Sequence, residues 1–173
     1  LVVNILLIMD KKEALKIVRD DGLKFKDLPD HFKKDKEIVL AAIKYKNSAV
    51  GRKGGYALKF ADDSLKKDKE VVLAALENSH GNALEFADDI FKKDKEIVLA
   101  VIKQNSLSNN LQHADNSLKK DKEIVLEAVK IDGNALMFAD ESLQKDKEIV
   151  LEAVKTESIW ISDNMPLLDD LCG

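Results

Sequence analysis

The sequence holds a single cysteine, no excess of positive charge and no long apolar run, and each absence excludes something. Cys172, alone among 173 residues, has no partner for an intrachain disulfide, so the fold does not rest on an oxidising compartment. That favours the cytoplasm or another reducing compartment. With 28 Lys+Arg against 32 Asp+Glu the net charge is −4, and the basic excess or stripe of a nucleic-acid binder is missing. The longest apolar run, Leu1-Val2-Val3 and then Ile5 to Met9, falls far short of the ~20 residues that a membrane span needs. It also lacks the basic n-region and small-residue cleavage site of a secretory signal. There is no phosphate-binding glycine fingerprint, no Gly-x-Ser-x-Gly and no His-Glu-x-x-His. What is present is 45% hydrophobic and 35% charged residues. This suffices for roughly one domain that buries about two-thirds of its unfolded surface, and it carries too little net charge for disorder.

Self-similarity decides the architecture. Lys34-Asp35-Lys36-Glu37-Ile38-Val39-Leu40 recurs, with Val71 for Ile in one copy, as Lys67 to Leu73, Lys93 to Leu99, Lys120 to Leu126 and Lys145 to Leu151. The Asp-to-Asp spacings are 33, 26, 27 and 25. Counting back 25 residues from Asp35 reaches Asp10, where Leu15, Val18 and Arg19 match Leu40, Ile43 and Lys44.

Each unit reads as two short helices. Helix A opens on Asp as N-cap, whose carboxylate accepts from free N–H groups of the first turn, and a Glu two residues on suits the positive end of the helix dipole. Over 121–131 the apolar Ile124, Val125, Leu126, Ala128 and Val129 cover an arc of about 200° at ~100° per residue, which means burial on two sides. Gly22, Gly55, Gly81 and Gly133 fall where helix A ends, a place at which φ > 0 costs glycine nothing. Ser108 holds that slot in the fourth unit. Helix B then starts with Asn82, Asn109 or Asn134 as N-cap. Its narrow apolar face is Leu58, Ala61 and Leu65, or Leu84, Ala87 and Phe91, or Leu136, Ala139 and Leu143. Behind that face Asp62, Asp63, Asp88, Asp89 and Glu141 are spaced to pair at i,i+4 with Lys66, Lys67, Lys92, Lys93 and Lys145, each pair stabilising a helix by ~0.2–0.5 kcal/mol.

From the Gly or Ser108 slot to the next Asp the distance is always 13, whereas Asp to Gly varies through 12, 20, 13, 14 and 12. Packing therefore fixes the turn from B to A, and the A-to-B loop lies at an edge that tolerates insertion. The expected fold is all-α: a right-handed, α-solenoid-like stack of about six helix-turn-helix repeats in one domain, 1–173. The units run 10–34, 35–67, 68–93, 94–120, 121–145 and 146–169. Residues 1–9 read as a truncated helix and 156–173 as a divergent C-terminal cap. Such pairs bury a continuous core only through their neighbours.

Lys-Glu-Ile-Val-Leu-Glu-Ala-Val-Lys at 122 to 130, followed by Gly-Asn-Ala-Leu-x-Phe-Ala at 133 to 139, resembles the tandem helical repeat known as domain of unknown function 4116. The resemblance spans residues 10 to 155. It departs in the first unit, which lacks the Phe-Ala pair, in the fourth, where His113 replaces Phe, and in the sixth. It implies stacked helical repeats. Because that family carries no established activity, it brings no catalytic residue to this chain.

The candidate sites are few. His31, His80 and His113 sit at unrelated positions without metal-ligand spacing, so no metal or other cofactor is expected. The acidic pairs recur with their own lysines and read as a solvated face, not as an acid/base pair. Phe60, Phe86 and Phe138 lie about 160° from the first Leu of helix B at helical spacing. They either pack between neighbouring units or line a groove for partners. In the second unit an insertion of about eight residues, judged by the repeat register, falls within 45–55. It carries Lys46, Arg52 and Lys53 among glycines, a combination able to hold an anion, a phosphorylated partner or an acidic segment. Both ends are unusually apolar, Ile5, Leu6 and Ile8 at one and Trp160, Ile161 and Leu167 at the other, where solenoid caps are polar. The chain also begins without an initiator Met, which reads as a processed, partial or incompletely known product. The expected function is a non-catalytic protein-binding or scaffold module, with a protein partner or larger complex covering an end. An accessory protein that binds an anionic ligand through 45–55 is the alternative, and an enzyme the weakest reading.

Overall fold

An Asp followed by Lys, Glu and a run of aliphatic residues is a helix start in every repeat. The structure, a computed structural model that describes residues 9–45, 54–104 and 108–156, turns each such run into a long helix. These are α1 (Lys11–Asp20), α2 (Lys36–Lys44), α3 (Lys69–Ser79), α4 (Lys95–Gln104), α5 (Lys122–Ile131) and α6 (Lys147–Val154). Asp10 accepts from the Glu13 N–H, and Asp35, Asp68, Asp94, Asp121 and Asp146 each accept from the two N–H groups two and three residues on. These carboxylates satisfy donors that have no partner inside the helix. Every element among the described residues is helical.

The second half of each repeat is not the single helix B that the periodicity predicts. It divides into a 3-10 helix and one α-helical turn: Gly22–Asp27 with Asp30–Lys33, Gly54–Phe60 with Asp63–Lys66, Asn82–Phe86 with Asp89–Lys92, Ser108–His113 with Asn116–Lys119, and Gly133–Phe138 with Glu141–Gln144. In three of the five repeats the cause is a local competition for hydrogen bonds. Asp62, Asp115 and Asp140 each accept from the backbone N–H and the hydroxyl of the serine two residues on. That turn holds the Asp extended and stops the preceding helix. Asp21 and Asp132 cap 3-10 helices, accepting from the N–H of Leu23 and of Asn134, so in the fifth repeat the carboxylate one residue before the glycine replaces Asn134, the cap expected there.

Glycine's freedom at φ > 0 is used at one place. Gly81 has φ 86 and His80 before it φ 54, the positive values among the described residues. Gly22 and Gly55 serve a different need. A Cβ on Gly22 would lie 2.5 Å from Tyr45 Cβ and 2.8 Å from the Ala42 carbonyl oxygen; one on Gly55 would strike the Ala75 carbonyl oxygen and lie 2.5 Å from Ser79 Cβ. Their lack of a side chain lets the backbone of one repeat approach the long helix of the next.

The chain divides into two compact units, Leu1–Asp88 and Asp89–Gly173. In the first, α1 packs on α2 and α2 on α3, and the three 3-10 helices lie side by side. The fully buried side chains there include Val18, Phe25, Ile38, Ile43, Leu58, Val71 and Leu84. In the second, α4 packs on α5 and α5 on α6, around Val98, Leu111, Ile124, Leu136 and Ile149. Each such side chain contributes ~1.5–3 kcal/mol by leaving water. Of the wide arc on α5, Ile124, Val125, Ala128 and Val129 are buried while Leu126 is half-buried. Successive repeats are also tied through the backbone. The Asp62 N–H donates to the Lys33 carbonyl and Asp88 to Lys66 in the first unit, Asp115 to Lys92 and Asp140 to Lys119 in the second, at 3.0–3.1 Å. These ties fall inside the constant 13-residue segment and account for its fixed length.

Candidate functional site

The charged residues are largely occupied in joining repeats. Lys11 Nζ lies 2.8 Å from Asp35 and 3.0 Å from Glu37, at the start of the following long helix. Lys36 repeats the contact with Asp68 and Glu70, Lys95 with Asp121 and Glu123, and Lys122 with Asp146 and Glu148, all at 2.8–2.9 Å. One oxygen of each Asp caps its own helix and the other accepts the lysine of the preceding repeat. The bound ammonium holds the carboxyls of Asp68, Asp121 and Asp146 below the usual carboxylate range. At Asp35 burial pulls upward, but the Lys11 contact and the two backbone donors outweigh it and the net shift is also downward. The same bonds raise Lys36, Lys95 and Lys122.

The acidic pairs are used in the same way. Asp62, besides capping its turn, faces Lys34 of the preceding repeat at 3.9 Å, Asp88 faces Lys67 at 3.8 Å and Asp140 faces Lys120 at 3.7 Å. Asp63 bonds Lys66 at 2.9 Å and Asp89 bonds Lys92 at 3.2 Å. The spacing is i,i+3, not the expected i,i+4, because the α-helical turn is four residues long and ends at that lysine. Sequence spacing missed the contacts between repeats, although a lysine placed next to each cap, with no local acid to serve, was the signal for them.

Lys46, Arg52, Lys53, Ile5, Leu6, Ile8, Trp160, Ile161 and Leu167 lie outside the described residues. Of the histidines, His31 is exposed and its ring lies 3.9 Å from that of Phe32, and His80 ends α3. No group of three His, Cys, Asp or Glu among the described residues is placed to hold a metal ion, and no helix among them is long and apolar enough to cross a membrane.

The cavities fall into two kinds. Alongside α1 and α2 run open grooves of about 530 and 550 Å³, the first lined by Arg19, Glu37 and Lys44 together with Leu40, Ala41 and Tyr45, the second by charged residues such as Asp10, Lys16 and Asp20. Between the 3-10 helices Gly22–Asp27 and Gly54–Phe60 lies a smaller pocket of about 170 Å³, lined by Gly22, Leu23, Phe25, Lys26, Tyr56, Ala57 and Phe60. Of these, the sequence pattern singles out Phe60 alone as a possible groove residue. Leu23, Tyr56 and Phe60 are 41%, 38% and 39% exposed, so apolar surface reaches solvent there although the core beneath is closed. One step along, Phe86 packs on the neighbouring repeat: its ring centroid lies 6.0 Å from that of Tyr56, and Lys59 Nζ lies 5.5 Å above it.

Helices capped by a repeated Asp, tied to one another by a repeated Lys and a repeated backbone bond, define an all-helical tandem-repeat protein. Its repeats match the sequence pattern of the domain of unknown function DUF4116 at residues 10–50, 52–92, 78–119, 94–144 and 121–163. The chain belongs to that family. No curated protein and no solved structure matches it.

Proposed function

We propose that the chain is a non-catalytic helical-repeat module that binds another protein and acts as a scaffold or structural subunit of a larger assembly, its repeats forming a right-handed, α-solenoid-like stack of about six units. The observation that carries this reading is the division of labour on the surface. The Asp caps and the lysines Lys11, Lys36, Lys95 and Lys122 are engaged in capping and joining repeats, and the pocket-bearing face instead presents Leu23, Tyr56 and Phe60 to solvent. Partly exposed aromatic and aliphatic side chains grouped in one place are what protein interfaces are built from. The test is photo-crosslinking in the source cells, with a benzophenone amino acid placed at Leu23 and, as control, at Lys12 on the charged surface of α1. A discrete protein adduct at Leu23 and none at Lys12 is the expected result. Absence of any protein adduct at Leu23, with the native chain migrating as a free monomer, overturns it.

A further inference from the structure

The two steps between 3-10 helices in the first unit use equivalent positions with different side chains. The close approaches of the glycines fix the equivalence: Gly22 meets Ala42 and Gly55 meets Ala75, each seven residues after the Asp cap of its helix. Leu23 therefore corresponds to Tyr56, Lys26 to Lys59 and Phe60 to Phe86. In the second step the Tyr56 ring lies against Phe86 and Lys59 reaches over the same ring. In the first step a leucine stands where the tyrosine would be, and beside it is the pocket of about 170 Å³. A dry apolar cavity of ~150 Å³ accommodates a benzene molecule, so the space matches one aromatic ring.

Resting on the protein-binding reading, we propose that this pocket receives an aromatic side chain from an acidic segment of the partner protein, with the ring against Leu23 and Phe60 and a neighbouring carboxylate of the segment on Lys26. The molecule itself indicates the ring, because one repeat later Tyr56 sets its own ring beside Phe86, the counterpart of Phe60. Charge indicates the acid. Lys26 lines the pocket, is exposed and makes no ion pair with an acid among the described residues, whereas Lys11, Lys36, Lys95 and Lys122 of the long helices are already bound. Asp27 follows it in the chain but does not line the pocket.

The experiment titrates the full chain with acetyl-Asp-Glu-Phe-Asp-Glu-amide and follows it by NMR. Saturable shifts grouped at Leu23, Lys26, Tyr56 and Phe60 are expected. Replacing the peptide's Phe by Ala should weaken binding about tenfold, the loss typical of one buried anchor. Leu23→Tyr should fill the pocket from within and abolish binding at unchanged helix content. Should that variant lose helix content, Lys26→Glu on an exposed side chain decides instead, and it should weaken this peptide while admitting its Lys-flanked counterpart. Shifts scattered over the charged helix surface, or wild-type binding by a folded Leu23→Tyr or by Lys26→Glu, overturn the proposal. If the peptide fails while a protein still crosslinks at Leu23, the pocket's ligand is wrong and the protein-binding reading stands; if both fail, both fall.

Discussion

In the first unit, the two edges of the first and second repeats are joined to the repeats that follow by different physics. Where the long helices begin, the contact is a lysine reaching an Asp and a Glu of the next helix, with lysine side chains 38–47% exposed. Where the 3-10 helix meets the next long helix, the contact is the backbone of Gly22 or Gly55 pressed against the Ala42 or Ala75 carbonyl. Exposed ion pairs add little stability because water and salt compete for both partners. Burial and close packing add much more, and they tolerate no extra atom. The ion-pair edge therefore sets which helix lies beside which, and the glycine edge supplies the cohesion. Substitutions at the two edges separate these roles.

The largest effect is expected from Gly55→Ala. The added methyl would meet the Ala75 carbonyl oxygen and lie 2.5 Å from Ser79 Cβ. The backbone atom has nowhere to go, so the repeats must separate, at ~1–3 kcal/mol for overpacking. Urea unfolding should show a lower midpoint with an unchanged slope. Gly22→Ala should behave alike, since its methyl meets Tyr45 and Ala42. Gly81→Ala should also destabilise, by about 1 kcal/mol, but through its φ of 86. A harmless Gly55→Ala would show that the glycine edge is looser than its geometry states.

That edge is also where sequence reading fell short. The repeat, the Asp caps and the buried arc of α5 were legible because they depend on local spacing. So was the face Leu58, Ala61 and Leu65, all buried, although the helix that was to carry it is broken after Phe60. The break was hidden because the Asp62–Ser64 turn competes with a helix whose periodicity looks intact. The glycines were correctly marked as special but for the wrong reason at Gly22 and Gly55, since close approach involves a partner 20 residues away that no local pattern reveals. The pocket was illegible for the same reason: it arises from Leu23 and Phe60 meeting across repeats, and neither is unusual in its own segment.

At the ion-pair edge a smaller effect is expected, and Asp68 separates its two components. Asp68→Ala removes the cap that accepts from Glu70 and Val71 as well as the contact with Lys36, and should cost about 1 kcal/mol, mostly for the cap. Asp68→Asn keeps an acceptor for the helix N–H groups and removes only the charge. It should retain most of the stability, and thermal unfolding should show its remaining deficit shrinking as salt is added. Equal losses in the two variants would mean that the link between repeats, not the cap, is what this residue supplies.

The smallest effect is the pH response of the ladder, whose sign follows from its carboxylates. Asp68, Asp121 and Asp146 sit below their ordinary values because each accepts from a lysine. A carboxyl lowered on folding contributes stability that is present above its unfolded value, about 3.9, and that is lost as pH falls through the folded value. The partner lysines are raised, so their contribution is present below about 10.4 and is lost only as pH rises through their folded values. Stability should thus be flat through neutral pH, fall below about pH 4 and fall again in strong alkali. Replacing Lys36, Lys95 and Lys122 together by Gln should leave the Asp caps intact and flatten the acid limb without removing it, since the backbone donors to the same carboxylates remain. Salt at about 1 M, where the screening length is ~3 Å, should imitate that triple variant in the wild-type chain. An acid limb unchanged in both cases would mean that the caps alone depress these carboxyls and that the lysines select neighbours without stabilising them.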